Sequence, residues 1–355
     1  MNLDAFVIAY SDSSFTNPHE AARHDEPPEC TGNFTHMGAK YWGFETDRHR
    51  ATAILEDGQG FRFNHNAYHW LHLGLKQKAR VRKINISTRW FTGNQVPEVS
   101  VELIDGRSTT EVLTRVTLDP DKDHNFPIPE TIAEECLIRC YHEGGIARVL
   151  LEGDVVNEAP EPENLLSFAR VSHVSNEHYG KPTDAVSGVR GVDYMLGWES
   201  ARSGFGERAL FHLRAPTQVS EIIVDTYLHR LNPPLSCHVF GLQLDDEKYL
   251  DELWRTRPRW MIEFDDGLEV IPEDFMAYMQ SKAFLSEPAG NTETFNVRLL
   301  RDDERWIPLI SFGQLRADTW HRFREVESSV PVTHLLYMHY PNGGIHGLRV
   351  YGTEN

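Results

Sequence analysis

One short frame, in which a glutamate stands three residues before an arginine, is written twice in this chain. Gly43-Phe44-Glu45-Thr46-Asp47-Arg48 and Gly197-Trp198-Glu199-Ser200-Ala201-Arg202 share glycine, a large aromatic, glutamate, a small hydroxyl residue and a closing arginine. A carboxylate can take or return a proton, and a guanidinium can hold an anion through two parallel hydrogen bonds. Glu45, Arg48, Glu199 and Arg202 are therefore candidate catalytic residues. The competing reading is a structural clamp, copied because the module was copied. Asp225 is a candidate general base, and its place in the first copy is taken by Ser87. That asymmetry argues for at most one full site per chain. Asn94 and Asn232 are candidate ligand contacts, although loop asparagines also bond their own backbone. Trp42, with Tyr41, Trp90 and Phe91, flanks the first copy's motifs and reads either as a pocket wall or as core.

The frames have company. Val81–Thr88 is answered by Val219–Thr226, and Asn94 and Asn232 follow Thr88 and Thr226 at one offset. Glu143-Gly144-Gly145-Ile146-Ala147-Arg148 is answered by Asn342-Gly343-Gly344-Ile345-His346-Gly347, and each runs into an apolar tail ending at Gly153 or Gly352. Three matched blocks in one order imply an internal duplication. Alternation predicts strands at Ala5–Tyr10, Tyr68–Leu73, Val81–Thr88 and Val99–Ile104, with Leu137–Tyr141 and Ile146–Leu151 as arms of a closing hairpin. The class is all-β: two tandem antiparallel β-sandwiches, of jelly-roll type, over residues 1–157 and 164–355. The acidic, proline-bearing stretch Glu158–Glu163 reads as the linker. An insertion near Asp57-Gly58 enlarges the first copy. A longer one, at about 245–327, enlarges the second, with helical spacing over Pro272–Phe284 and several tryptophans that predict ordered packing.

The chain has 355 residues, enough for two cores, and a net charge of −18. That field repels a phosphate backbone, so nucleic acid is not expected as a partner. No apolar run is long enough to span a bilayer and the start lacks a secretory pattern, so no membrane association and a cytoplasmic setting are expected. The four cysteines form no metal or disulfide pattern. His19 and His24 are spaced wrongly for a zinc helix, and that segment reads as solvated. His65, His69 and His72 supply no ligand trio, and neither a metal nor a cofactor is expected. A homo-oligomer is left open.

Taken together, the blocks resemble the allantoicase family, which is built of two repeated modules similar to galactose-binding domains. The second copy carries Gly197-Trp198-Glu199, Arg202, Asp225-Thr226, Asn232 and Pro341-Asn342-Gly343-Gly344. The first carries Gly43, Glu45-Thr46, Arg48, Thr88, Gly93-Asn94 and Gly144-Gly145. Arg190-Gly191 and Asp193 are similar to a family segment upstream of the second frame, and the resemblance makes Arg190 and Asp193 candidate substrate-binding residues. It implies hydrolysis of a linear ureide, allantoate, to ureidoglycolate and urea.

The chain departs from that pattern in its charges. Trp42 and Leu196 precede the frames where the family has an acid, and Asp47 and Ala201 replace a base. One such charge at about 4 Å and an effective dielectric near 20 is worth roughly 4 kcal/mol. The expectation is that allantoate is a poor substrate. The alternatives are a repurposed enzyme acting without hydrolysis on a more apolar small molecule, and a binding module without catalysis.

Overall fold

The computed structural model describes residues 1–13, 16–156, 162–187, 190, 197–202, 206–265, 267–271 and 295–355. The chain forms two compact units, Met1–Glu161 and Pro162–Asn355. Most of the Glu158–Glu163 linker, the Pro272–Phe284 helix expected from spacing, and Asp193 lie outside the described residues.

Each unit is an antiparallel β-sandwich strung on one long strand. In the first unit this spine is Tyr68–Ser87, and the two strands expected at Tyr68–Leu73 and Val81–Thr88 are its two halves. The first half pairs with Ala5–Tyr10 on one side and with the end of Asp123–Tyr141 on the other. The second half keeps Asp123–Tyr141 and exchanges Ala5–Tyr10 for Arg148–Val155. One strand thus feeds both layers. Glu98–Asp105 and Ser108–Thr117 extend the sheet beyond Asp123–Tyr141.

The second unit repeats the plan on Glu207–Asp225. Arg170–Val174 and Val332–Tyr340 flank its first half, and Gly347–Glu354 and Trp320–Phe323 its second. Ser236–Leu242 and Trp306–Gln314 correspond to Glu98–Asp105 and Ser108–Thr117. Trp306–Gln314 and Trp320–Phe323 therefore belong to the repeated plan, and the added segment lies between Leu242 and Trp306. In the first unit only the tight turn between Asp105 and Ser108 stands there. The first unit's own insertion includes the hairpin Thr52–Ile54 with Phe61–Phe63.

The inward faces build the cores. Leu71, Leu73, Val99, Val101, Ile138, Val149 and Leu151 are buried in the first unit, and Phe211, Ile222, Val224, Val239, Leu335 and Val350 in the second. Each such side chain stabilises by about 1.5–3 kcal/mol relative to exposure. The outward face of the second sheet is buried too. There Leu210, Phe240, Leu242, Leu336 and Met338 pack with Leu250, Leu253 and Trp260 of the insertion and with Trp306. This is why Ser236–Leu242 is buried at every position instead of at alternate ones.

Two sequence expectations need correction. Leu137–Tyr141 and Ile146–Leu151 are not partners in a hairpin. The first ends a strand paired with Glu98–Asp105, and the second begins a strand paired with the other half of the spine. The chain crosses between layers at Gly144-Gly145, where a Cβ would lie 2.4 Å from Gln95 and 2.0 Å from the Phe91 ring. The His19 segment is not simply solvated: Pro18–Ala22 is a 3₁₀ turn capped by Asn17, with Ala21 and Ala22 buried. The four cysteines are free and buried. No helix among the described residues is long and apolar enough to cross a membrane.

Candidate functional site

Backbone geometry explains the repeated frame. Gly43 and Gly197 have φ of 95° and 130°, and a Cβ at either would lie 2.4 Å from Ile146 O or 2.7 Å from Ile345 O. Glycine is required there on both counts. The next two residues form a short strand against the Gly-Gly turn, so Glu45 faces Gly145 and Glu199 faces Gly344. The small hydroxyl closes the frame. Thr46 Oγ1 accepts from Gly144 N at 3.1 Å, and Ser200 Oγ accepts from Gly343 N at 3.1 Å. Phe44 and Trp198 anchor the strand in the core, which leaves each glutamate on the opposite face.

The loop after the spine reaches over the same turn. Thr88 and Thr226 each donate to a carbonyl of the facing loop, at 2.7 Å to Asp119 and 2.6 Å to Arg316. Trp90 and Leu228 then take positive φ, their N–H groups held by Asp121 and Asp318. One residue on, the copies diverge. Phe91 lies over Gly145 and His229 lies over Gly344, each ring within 2.1 Å of where a glycine Cβ would stand.

The second unit therefore sets an imidazole beside Glu199. Burial lowers the His229 pKa, opposed by the charge of Glu199 and a side-chain hydrogen bond with Asn232. The ring is neutral at pH 7, oriented by Asn232 and placed to gain a proton next to a carboxylate. In the first unit Asn94 Nδ2 donates to Glu45 Oε1 at 2.8 Å, while Oε2 is buried without a partner. Burial raises the Glu45 pKa against the opposing effects of Asn94 and Arg48. Phe91 stacks on Tyr41 at 4.8 Å between ring centroids. That copy offers a closed carboxyl–amide pair with no imidazole.

Asp225 stands apart from this pair in role. It is fully buried, and Arg190 donates to both of its oxygens, from Nε at 2.8 Å and from Nη2 at 2.9 Å. Burial alone would raise its pKa, but Arg190, His346 and Arg349 hold it below the usual carboxylate range. The Arg190 guanidinium also lies against Tyr227 and Trp320, at 5.0 and 5.2 Å from the ring centroids. Both Asp225 oxygens, expected from sequence to serve a general base, are engaged by Arg190, the expected ligand contact, and Oδ1 also accepts from Tyr227 N.

Arg48 and Arg202 are exposed, and among the described residues neither closes a salt bridge on the glutamate of its frame. The clamp reading fails there, and both guanidinium groups remain able to meet an anion. Trp42 is half-buried beneath the Arg23 guanidinium, 5.4 Å from its ring centroid. Asp47 is more than half exposed, with Oδ1 3.1 Å from His69 Nε2. Solvent screens the charge of Asp47, which leaves the missing base at Ala201 as the departure that bears on the second repeat. His229 was missed from sequence. The signal was present: it follows Thr226 at the offset by which Phe91 follows Thr88.

The sequence model of the allantoicase repeat matches residues 1–156 and 165–355. A probable allantoicase of Schizosaccharomyces pombe is 26% identical over 98% of this chain and 89% of that protein. An allantoicase of Saccharomyces cerevisiae is 24% identical over 98% of this chain and 90% of that protein. A crystal structure of allantoicase from Saccharomyces cerevisiae shares 22% identity across 98% of this chain and 90% of that one, with a TM-score of 0.35.

Proposed function

The chain belongs to the allantoicase family, and on that premise we propose that it is a hydrolase of a linear ureide, allantoate, with its working site in the second repeat. The observation that carries this reading is the exchange of Phe91 for His229 over the repeated Gly-Gly turn, which gives that repeat a glutamate, an imidazole and an asparagine together. Neutral His229 takes a proton from water as the oxygen bonds to the central carbon of the ureide. The imidazolium, balanced by Glu199 and held by Asn232, returns that proton to the departing nitrogen as the C–N bond breaks and urea leaves. Arg202 receives the substrate carboxylate. Arg190 and Asp225 position the loop through Tyr227 rather than touching substrate, since Asp225 Oδ1 also accepts from Tyr227 N at 3.1 Å. Urea released from allantoate by the purified chain supports the proposal, and its absence at saturating substrate sinks it.

A second reading, a more apolar substrate, is favoured by one feature. A cavity of about 560 Å³ lies between the second sheet and its insertion, lined by Leu235, Trp260, Val297, Phe312 and Tyr340, with His238 and Gln314 as polar groups. It begins only three residues after Asn232 in sequence. A screen of apolar small molecules that finds turnover without urea would favour this reading over ureide hydrolysis.

A further inference from the structure

Outside the Glu199–His229 site, the outward face of the second sheet carries a cluster that the hydrolytic reading does not use. His212 of the spine and His334 of Val332–Tyr340 are cross-strand partners. Their rings stack at 4.4 Å between centroids and 12° between planes. Glu247, in the first turn of the insertion, brings Oε1 to 2.6 Å from His212 Nδ1. One ligand atom from each of the three residues lies within 4.8 Å of the others. We propose that His212, His334 and Glu247 form a site for a divalent transition metal of the zinc class, which fastens the start of the insertion to the sheet.

The hydrogen bonds around His334 favour a ligand over a core residue. Thr333 Oγ1 has a single proton, which it donates to the Leu242 carbonyl at 3.0 Å, and it lies 3.0 Å from His334 Nδ1. That arrangement suits the tautomer in which Nδ1 carries the ring proton and donates it to that oxygen. Nε2 is left as a bare lone pair, buried and without a hydrogen-bond partner. A neutral imidazole whose other nitrogen is tied by a hydrogen bond is the form in which histidine binds a metal. Two imidazoles and one carboxylate suit zinc, which takes nitrogen at about 2.0–2.1 Å and carboxylate oxygen at about 2.0–2.2 Å and keeps a further position for water.

Arg170 closes the arrangement. Its Nη2 lies 2.9 Å from Glu247 Oε1 and 3.1 Å from His212 Nδ1, so the guanidinium occupies the place where a cation would draw these two ligands. More than half of its side chain is exposed, and it can leave without exposing core. It acts as the resident cation that the metal displaces. A purely structural ion pair would need Arg170, whereas a metal site is strengthened by its removal.

The test uses the full chain without a histidine tag, stripped with chelator and titrated with Zn²⁺ by calorimetry and with Co²⁺ by visible absorption. The proposal expects one ion per chain at micromolar affinity or better and ligand-field bands for Co²⁺. Glu247→Gln and His212→Asn, both at sites that are not buried, should each weaken binding by about 10–100-fold. Arg170→Gln should tighten it by about tenfold. Binding weaker than millimolar, or equal in the wild type and the two ligand variants, would overturn the site. So would an Arg170→Gln variant that binds no more tightly than wild type.

Discussion

Both oxygens of Asp225 are held by Arg190, which itself lies against Tyr227 and Trp320. Asp225 sits at the end of the spine, two residues before Tyr227 and four before His229, so the pair fixes where the loop that carries His229 departs from the sheet. Breaking it leaves a buried guanidinium without its counter-charge. Asp225→Asn should destabilise the fold by about 3–5 kcal/mol in urea unfolding. The sign with pH follows from the lowered pKa. The Asp225 contribution is present above the unfolded carboxylate pKa and is lost as pH falls through the folded one.

Glu45 should behave in the opposite sense. Its folded pKa is raised, so its contribution is present below the unfolded value and lost as pH rises through the folded one. Glu45→Gln keeps an acceptor for Asn94 and removes the buried charge. The variant should be at least as stable as wild type at pH 7, and its advantage should shrink as pH is lowered towards 4. Unfolding midpoints across that range check this, and an advantage that grows on acidification would contradict it.

The two frame arginines should separate by function. Arg202→Ala should lower kcat/KM for allantoate by about tenfold or more, which is ~1.4 kcal/mol of lost binding in the transition state. Arg48→Ala should leave it within about twofold, because the first repeat has Phe91 where the imidazole stands in the second. Equal losses would mean that the asymmetry between repeats has no functional content.

The pH profile reports the imidazole. His229 works as the neutral form and its pKa is lowered, so kcat/KM should hold steady as pH falls to about 6.5, the ordinary imidazole value, and decline only below it. An acid limb with its midpoint above that value would assign the base to another group.

The duplication, the all-β class and the strands expected at Ala5–Tyr10 and Val99–Ile104 were legible because each rests on local alternation or on a motif written twice. The crossing of layers at Gly144-Gly145 was not, because two short apolar arms around a glycine pair look the same whether they pair with each other or with distant strands. Side-chain roles were legible only where one residue decided them. The need for Gly43 and Gly197 follows from backbone room. The pairing of Arg190 with Asp225 joins residues 35 positions apart in sequence, and no spacing rule reaches that far. His229 was recoverable, since the Thr-anchored register points to it, but the eye follows matches between repeats and the informative residue was a mismatch. His212 and His334 lie 122 positions apart and meet only through strand pairing.

The central claim is that a histidine in the second repeat does what the phenylalanine of the first cannot. His229→Phe tests it most directly, because the first repeat already accommodates that ring over the same turn. Urea release from allantoate should reach a kcat/KM of about 10⁴ M⁻¹s⁻¹ or more in the wild type. In the variant it should fall by about 10²–10⁴-fold, with the unfolding midpoint nearly unchanged. A folded His229→Phe chain that releases urea at the wild-type rate would contradict the account.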